Sequence, residues 1–382
     1  MNIFLLVAAV AASALISDRL SEFIGFPRIA GYILTGIFLG PFLSGIIAAD
    51  SLQRLKFIIP VTTGFVGLTL GRQLGGASIA KTGIRFPLLG LIQSTITAIS
   101  VAAVVWLVTE DISMTILLSV VGISTAPTAL LLTFHHLHVR GPLSQAMLTV
   151  TAVDDVLALG MYLLAAAIIP GLTVGIQQQT LSLHGAGTAM AGGLAAGILY
   201  WFIFPRLNDH KTRGSLVIGA TLLLTGSASV SPIGPLLSNF IAGAVLGRIP
   251  PISQAFWHRL EELLDMVYMS FFVYLGAAMQ ITLLPGILKI LFAYVAARGG
   301  GKYLGARLGA LLTRTPSLTG HYLGLSLLPQ GGVALIITAA VAELNPHVGE
   351  LLLTVTLIAA VISEIVGALT LTNALKNAQE AH

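Results

Sequence analysis

The sequence predicts an all-α integral membrane protein of about thirteen transmembrane helices, and three observations carry that prediction. Only 9% of the 382 residues are charged against 56% hydrophobic, with a mean hydropathy of +0.94, where an ordinary soluble domain is about 25% charged. The chain divides into apolar stretches of about 20 residues, the length that crosses a bilayer as a helix. The basic residues collect on alternate loops, as they do on the cytoplasmic side of multi-pass proteins. No soluble fold could hide that much apolar surface.

From the N-terminus the segments cover 2–17, 29–48, 57–75, 85–108, 113–134, 143–169, 183–204, 214–229, 233–249, 260–281, 285–312, 317–343 and 347–373. Short polar or Pro/Gly-marked turns separate them. The stretch from Met1 to Ile16 lacks the basic start and the small-residue cleavage site of a signal peptide, so it reads as a retained first helix. Thirteen of the 19 Lys and Arg residues, among them Arg19, Arg140, Arg206 and Arg314, sort to one side. Arg54, Lys56 and Lys289 sort to the other, and Arg298, Lys302 and Arg307 lie inside one apolar segment. This bias puts the N-terminus outside and the C-terminus in the cytoplasm, which requires an odd number of spans. The pI near 9.4 therefore reports topology and not a nucleic-acid partner. The absence of cysteine excludes disulfide and thiolate chemistry.

Two segments carry helix breakers in their middles: Ser124-Thr125-Ala126-Pro127-Thr128 in the fifth and Pro329-Gln330-Gly331-Gly332 in the twelfth. Their separation, about 200 to 210 residues, matches that between Asp154 in the sixth and Glu364 in the thirteenth. The expected organisation is one transmembrane domain over 1–382, with two inverted-topology repeats at 1–169 and 214–373, a linking helix at 183–204, and crossed discontinuous helices. Unwinding a few residues frees backbone carbonyls for a cation and leaves helix dipole ends facing each other.

Asp154 and Asp155 fall in the centre of the sixth segment, where a carboxylate costs about 2.5 to 3.5 kcal/mol on insertion scales. Neighbours on a helix are about 100° apart, so the two cannot serve one partner equally, and a division of labour follows. Arg298 and Lys302, four residues apart on one face, supply counter-charges. Arg298 and Arg307 are read as structural, by pairing or by snorkelling. Lys302 is the better titrating partner, because an ammonium changes protonation on burial while a guanidinium stays charged.

The runs "GISTAPTALLLT", "RGPLSQAMLTVTAVDDVLAL", "SFFVYLGAAMQI" and "RGGGKYLGARLGA" resemble the bacterial monovalent cation/proton antiporters of the NapA and Kef type, in the sodium/proton antiporter superfamily. The resemblance covers nearly the whole chain, and the paired aspartates with a downstream lysine are its most specific part. It implies an NhaA-like fold in a bacterial inner membrane, a homodimer, and electrogenic exchange of protons for Na+, with Li+ or K+ as alternatives. It also implies that Asp155 is the shared proton and metal-cation site, that Asp154 pairs with Lys302, and that Thr151, one turn before Asp155, adds a hydroxyl. Ser124 and Thr125 would join the site at the broken crossover. No cofactor is implied, and no enzymatic activity. The chain departs from the family pattern at Ala126, where a serine is common, at Gln330-Gly331-Gly332 in place of Arg-Gly-Glu, and at Gly67-Leu68-Thr69, where an acid is common.

Three other readings compete. A Kef-like potassium efflux path shares the helix pattern without proton coupling, and an organic-anion/sodium symporter of the bile-acid transporter type also uses crossed broken helices but needs no lysine opposite an aspartate pair. An intramembrane aspartyl protease needs its two acids on different helices. His135, His136 and His138 read as an interfacial helix end, Gly36 and Gly40 as a packing face within the protomer or between protomers. Glu364 reads as a structural acid or a secondary proton site. The sequence shows no nucleotide-binding loop, and no cytoplasmic regulatory domain is expected after the last helix.

Overall fold

The computed structural model describes residues 2–75, 83–137, 139, 141–169, 175–207, 209–229, 234–249 and 254–380. Among them the chain forms sixteen α-helices and no strand. In chain order these begin with α1 (Ile3–Ile24), α2 (Arg28–Leu39), α3 (Ala49–Leu55), α4 (Ile58–Gly75) and α5 (Arg85–Thr109). Then come α6 (Ile112–Ile123), α7 (Pro127–His136), α8 (Pro142–Ile168), α9 (Gly175–Ile203), α10 (His210–Ala228) and α11 (Gly234–Leu246). The last are α12 (Gln254–Ala278), α13 (Leu284–Leu312), α14 (Ser317–Ser326), α15 (Gly332–Leu344) and α16 (Pro346–Asn377). By length and composition, α1, α5, α8, α9 and α16 are each long and apolar enough to cross a membrane. Lys81, Arg140 and His138 lie outside the described residues, as do the side chains of His135 and His136.

Local chemistry explains where the helices stop. α1 runs past the expected end at residue 17 because Ser17, Asp18 and Ser21 turn inward and are buried. It ends at Gly25, whose φ of 67° is left-handed, with the Phe26 N–H donating back to the Ser21 carbonyl at 2.8 Å, before Pro27 prevents continuation. The second apolar segment is helical only to Leu39, not to 48. Pro41 follows Gly40 and disfavours helix at the residue before it. The turn closes by Gly45 N–H to Gly40 O at 3.0 Å and Ile47 N–H to Leu39 O at 2.8 Å.

The chain falls into two compact units, each drawing on both halves of the sequence. The first comprises Met1–Arg19, Leu34–Ser78 and Thr173–Ala278. Its centre is the crossing of α4 with α11. A methyl on Gly67 or Gly71 would overlap the carbonyl of Leu236 or Phe240, and one on Gly243 would overlap that of Leu68. Small residues let backbones approach closely where lipid offers no hydrophobic drive for association. Phe65, Leu68, Tyr200, Phe204, Val217 and Leu246 fill the core beside it. Gly36 and Gly40 also pack inside this unit, against the α12 backbone at Val273 and Ala277.

The second unit comprises Leu20–Ile33, Ile79–Leu172 and Met279–His382. Its tightest pair is α5 with α13, where Gly301 and Gly305 meet the α5 backbone at Thr97 and Gln93. Leu89, Met147, Val150, Ala306, Leu323 and Leu371 join α5, α8, α13, α14 and α16 in one core. Both helix breaks and the intramembrane charges belong to this unit.

Candidate functional site

The site starts from the interruption between α6 and α7. Pro127 has no N–H to give and biases Ala126 away from helix, so Ser124 and Ala126 are extended, with ψ of 143° and 105°. The second interruption, between Ser326 and Gly332, contains Pro329 and Gly331. The two touch: the Ala126 N–H donates to the Pro329 carbonyl at 3.0 Å, and a methyl on Gly331 would crowd Ala126.

A helix that stops inside a protein leaves its last carbonyls without partners, and cations there also answer the negative end of the helix dipole. The end of α6 is met residue by residue. Gln330 Nε2 donates to Val121 O at 3.2 Å, Arg298 Nε to Gly122 O at 3.1 Å, Lys302 Nζ to Ile123 O at 2.5 Å, and Arg298 Nη2 to Ser124 O at 2.8 Å. Arg298 Nη1 reaches the other break, donating to Leu328 O at 2.6 Å. The planar fork of the guanidinium suits this spread of acceptors. Arg298 thus ties the two breaks together.

On α8 the two carboxylates part company, as their angular offset requires. Asp154 is closed in by three donors. Ser94 Oγ donates to Oδ1 at 2.5 Å, while Oδ2 receives Thr125 Oγ1 at 2.8 Å and Lys302 Nζ at 2.6 Å. That last contact is an ion pair between two side chains with no solvent exposure. Lys302 also donates to Thr125 Oγ1 at 2.8 Å, so its three donors have three acceptors. Asp155 faces the break instead, and Ser124 Oγ donates to its Oδ1 at 2.7 Å.

Several buried oxygens are left without a hydrogen-bond partner. Thr151 Oγ1, one turn before Asp155, is one of them; Gln330 Oε1 and Glu364 Oε1 are others. A threonine in a helix usually donates to the carbonyl four residues back, as Thr149 does to Gln145 at 2.9 Å. Glu364 is buried on α16, one turn before Gly367, on which the Pro329 ring rests. Arg307 is exposed, and its guanidinium lies over the Tyr303 ring, 5.8 Å from the centroid.

Asp154, Asp155, Ser124, Thr125, Lys302 and Arg298 are therefore linked through shared hydrogen bonds and the first break, with Thr151 one turn away on α8. Two members escaped the sequence reading. Ser94 lies on α5, far from every motif; the polar run Gln93-Ser94-Thr95 with Thr97 and Ser100 in the middle of a largely apolar helix was the available signal. Gln330 stood out as part of the second helix-breaking run and as a departure from a family pattern, but not as a site residue, yet it donates to the Val121 carbonyl near the end of α6 and to Tyr294 Oη at 2.7 Å.

A family model described as sodium/hydrogen exchanger, transmembrane, matches residues 6–377. Among solved structures, the sodium proton antiporter MjNhaP1 from Methanocaldococcus jannaschii at pH 8 superimposes with a TM-score of 0.73 at 18% identity, covering 98% of this chain and 97% of that one. An electron-microscopy structure of the same antiporter gives 0.72 at 19% identity, with 100% of both chains covered. At these identities the likeness is one of fold. No curated protein matches the sequence. With the family model spanning all but the chain ends, and broken, charge-bearing helices at its centre, the chain belongs to the sodium/hydrogen exchanger family.

Proposed function

We propose that this chain is an electrogenic secondary antiporter of the paired-aspartate NapA/Kef type, exchanging protons for Na+, with Li+ or K+ as alternative cargo. Asp155 is the residue that carries either the proton or the cation, and Ser124 and Thr151 complete the cation's shell. Asp154 and Lys302 form the adjacent charge pair, and loss of the Lys302 proton as the cation binds makes turnover carry net charge. A single carboxylate cannot hold both ligands, so exchange is obligatory.

The observation that carries this reading is the contrast between the neighbouring acids. Asp154 has three side-chain donors, among them an ammonium, whereas Asp155 has only neutral donors, the Ser124 hydroxyl and the Thr125 N–H, with a buried, partnerless Thr151 oxygen one turn away. Buried polar atoms are normally satisfied, so the orphan Thr151 oxygen, one helical turn before Asp155, is free to meet a ligand. Thirteen spans, an outside N-terminus, inverted repeats and a homodimer in a bacterial inner membrane belong to the same proposal. The loop charges and the way each compact unit draws on both sequence halves support it.

The test is flux in proteoliposomes with a pH-sensitive dye, adding Na+, Li+ or K+ in turn. Cation-dependent proton movement that responds to an imposed potential is expected. Cation flux indifferent to the pH gradient would instead establish an uncoupled path.

A further inference from the structure

We infer that Ser94 is a positioning residue of the ion site, whose hydroxyl keeps Asp154 an aimed carboxylate while Lys302 lets go of it. The inference rests on the exchange reading above and adds a residue from α5 to it.

The two oxygens of Asp154 are held differently. Both partners of Oδ2 are in contact with Lys302, since Lys302 donates to that oxygen itself and also to Thr125 Oγ1, the other donor there. When the lysine gives up its proton or moves away, the ionic donor is lost and the Thr125 hydroxyl loses the bond it was accepting. Oδ1 has a donor that owes nothing to Lys302: Ser94 Oγ, at 2.5 Å from another helix. A hydrogen bond to a charged group is roughly twice as strong as one between neutral groups, so this contact counts most when Asp154 stands without its ammonium.

The Ser94 hydroxyl also has somewhere else to go. The Gly90 carbonyl lies 2.8 Å from the same oxygen, and a serine has a single hydrogen to donate. With Lys302 in place the hydrogen can serve either acceptor; with Lys302 withdrawn it serves the carboxylate. The aim of the side chain is fixed by packing. A methyl on Gly90 would press on Val153 of α8, and Gly301 and Gly305 hold α5 against α13, the helix that carries Lys302. Ser94 is itself buried, so water does not replace it.

The experiment measures cation-induced thermal stabilisation of the full chain in detergent, titrating Na+ and then Li+, because a ligand of the native state raises the melting temperature without any need for transport. Removing a donor to a buried charge should weaken apparent Na+ affinity about tenfold in Ser94→Ala, while Ser94→Thr, which keeps the oxygen, stays within about twofold. The same Ser94→Ala change is then made in an Asp154→Asn, Lys302→Gln background. There is no carboxylate left to aim, so affinity should change by less than about twofold, the non-additivity expected of residues that act on each other. An equal loss in both backgrounds, or no loss in the first, overturns the role given to Ser94. A parent protein that no monovalent cation stabilises overturns the exchange reading itself, and this inference with it.

Discussion

The two compact units use the same packing device and bury different chemistry. In the first, α4 and α11 cross on glycines, and the fully buried polar side chain there is neutral: Asn239 donates to Thr225 Oγ1 at 3.2 Å and to the Pro235 carbonyl at 2.9 Å. In the second, α5 and α13 cross on glycines, and the buried groups nearby include Asp154, Asp155, Arg298, Lys302 and Glu364. Close backbone packing is therefore a general solution to holding helices together in lipid. Buried ionisable groups are costly there and mark function. The difference is that the second unit links its buried charges to one another at a helix break, which makes it the seat of the ion chemistry proposed above.

The largest test of that contrast is Asp155→Asn, which keeps size but removes the titrating charge. The variant should fold and show no cation-dependent proton movement in liposomes. Wild-type-like exchange would remove Asp155 from the site and leave the second unit without its distinguishing role.

Next in size is the ion pair. Removing one partner of a buried pair costs about 3 to 5 kcal/mol because the other charge is stranded, so Lys302→Ala should melt much earlier than the parent. Asp154→Asn with Lys302→Gln should recover most of that loss. Asp154→Asn with Arg298→Gln should not, because the Arg298 hydrogen bonds go to Gly122, Ser124 and Leu328 carbonyls in both breaks, which glutamine cannot span. Each net charge crossing the membrane is worth about 2.3 kcal/mol per 100 mV, so parent turnover should follow an imposed potential, and a double variant that still exchanges should follow it much less.

The first unit supplies the control. Gly243→Val forces a side chain against the Leu68 carbonyl, and overpacking of this kind costs about 1 to 3 kcal/mol. Melting temperature should fall while apparent KM for the cation holds. A shifted KM at unchanged stability would mean that the first unit takes part in the ion chemistry as well.

The smallest expected effect is at Thr151. If its partnerless oxygen only completes the cation shell, Thr151→Ala should raise apparent KM a few-fold and leave maximal exchange largely intact, the pattern for lost uniform binding. An unchanged KM would return Thr151 to packing.

Much of this architecture could be read from the chain because lipid imposes a simple rule: a spanning element must be apolar over about 20 residues and must satisfy its own backbone. That rule locates the apolar segments, and Pro127 and Pro329 locate the two interruptions, since a missing N–H interrupts a helix wherever it falls. Helix ends were less legible. The turn after Leu39 and the extension of α1 to Ile24 depend on a left-handed glycine and on inward-facing polar residues, neither of which hydropathy registers.

Sequence alone determined that charges lie inside the apolar segments, and that Asp154 and Asp155 must face different ways, because 100° per residue allows nothing else. Only the tertiary structure decided what each one meets. Ser94 is 60 residues from Asp154 and Lys302 is 148, and no spacing rule connects positions on separate helices. Whether Arg298 or Lys302 takes the carboxylate depends on which carbonyls the first break leaves open. That follows from where α6 stops and how closely α13 can approach α5, a distance set by glycines whose contacts exist only once the helices are packed.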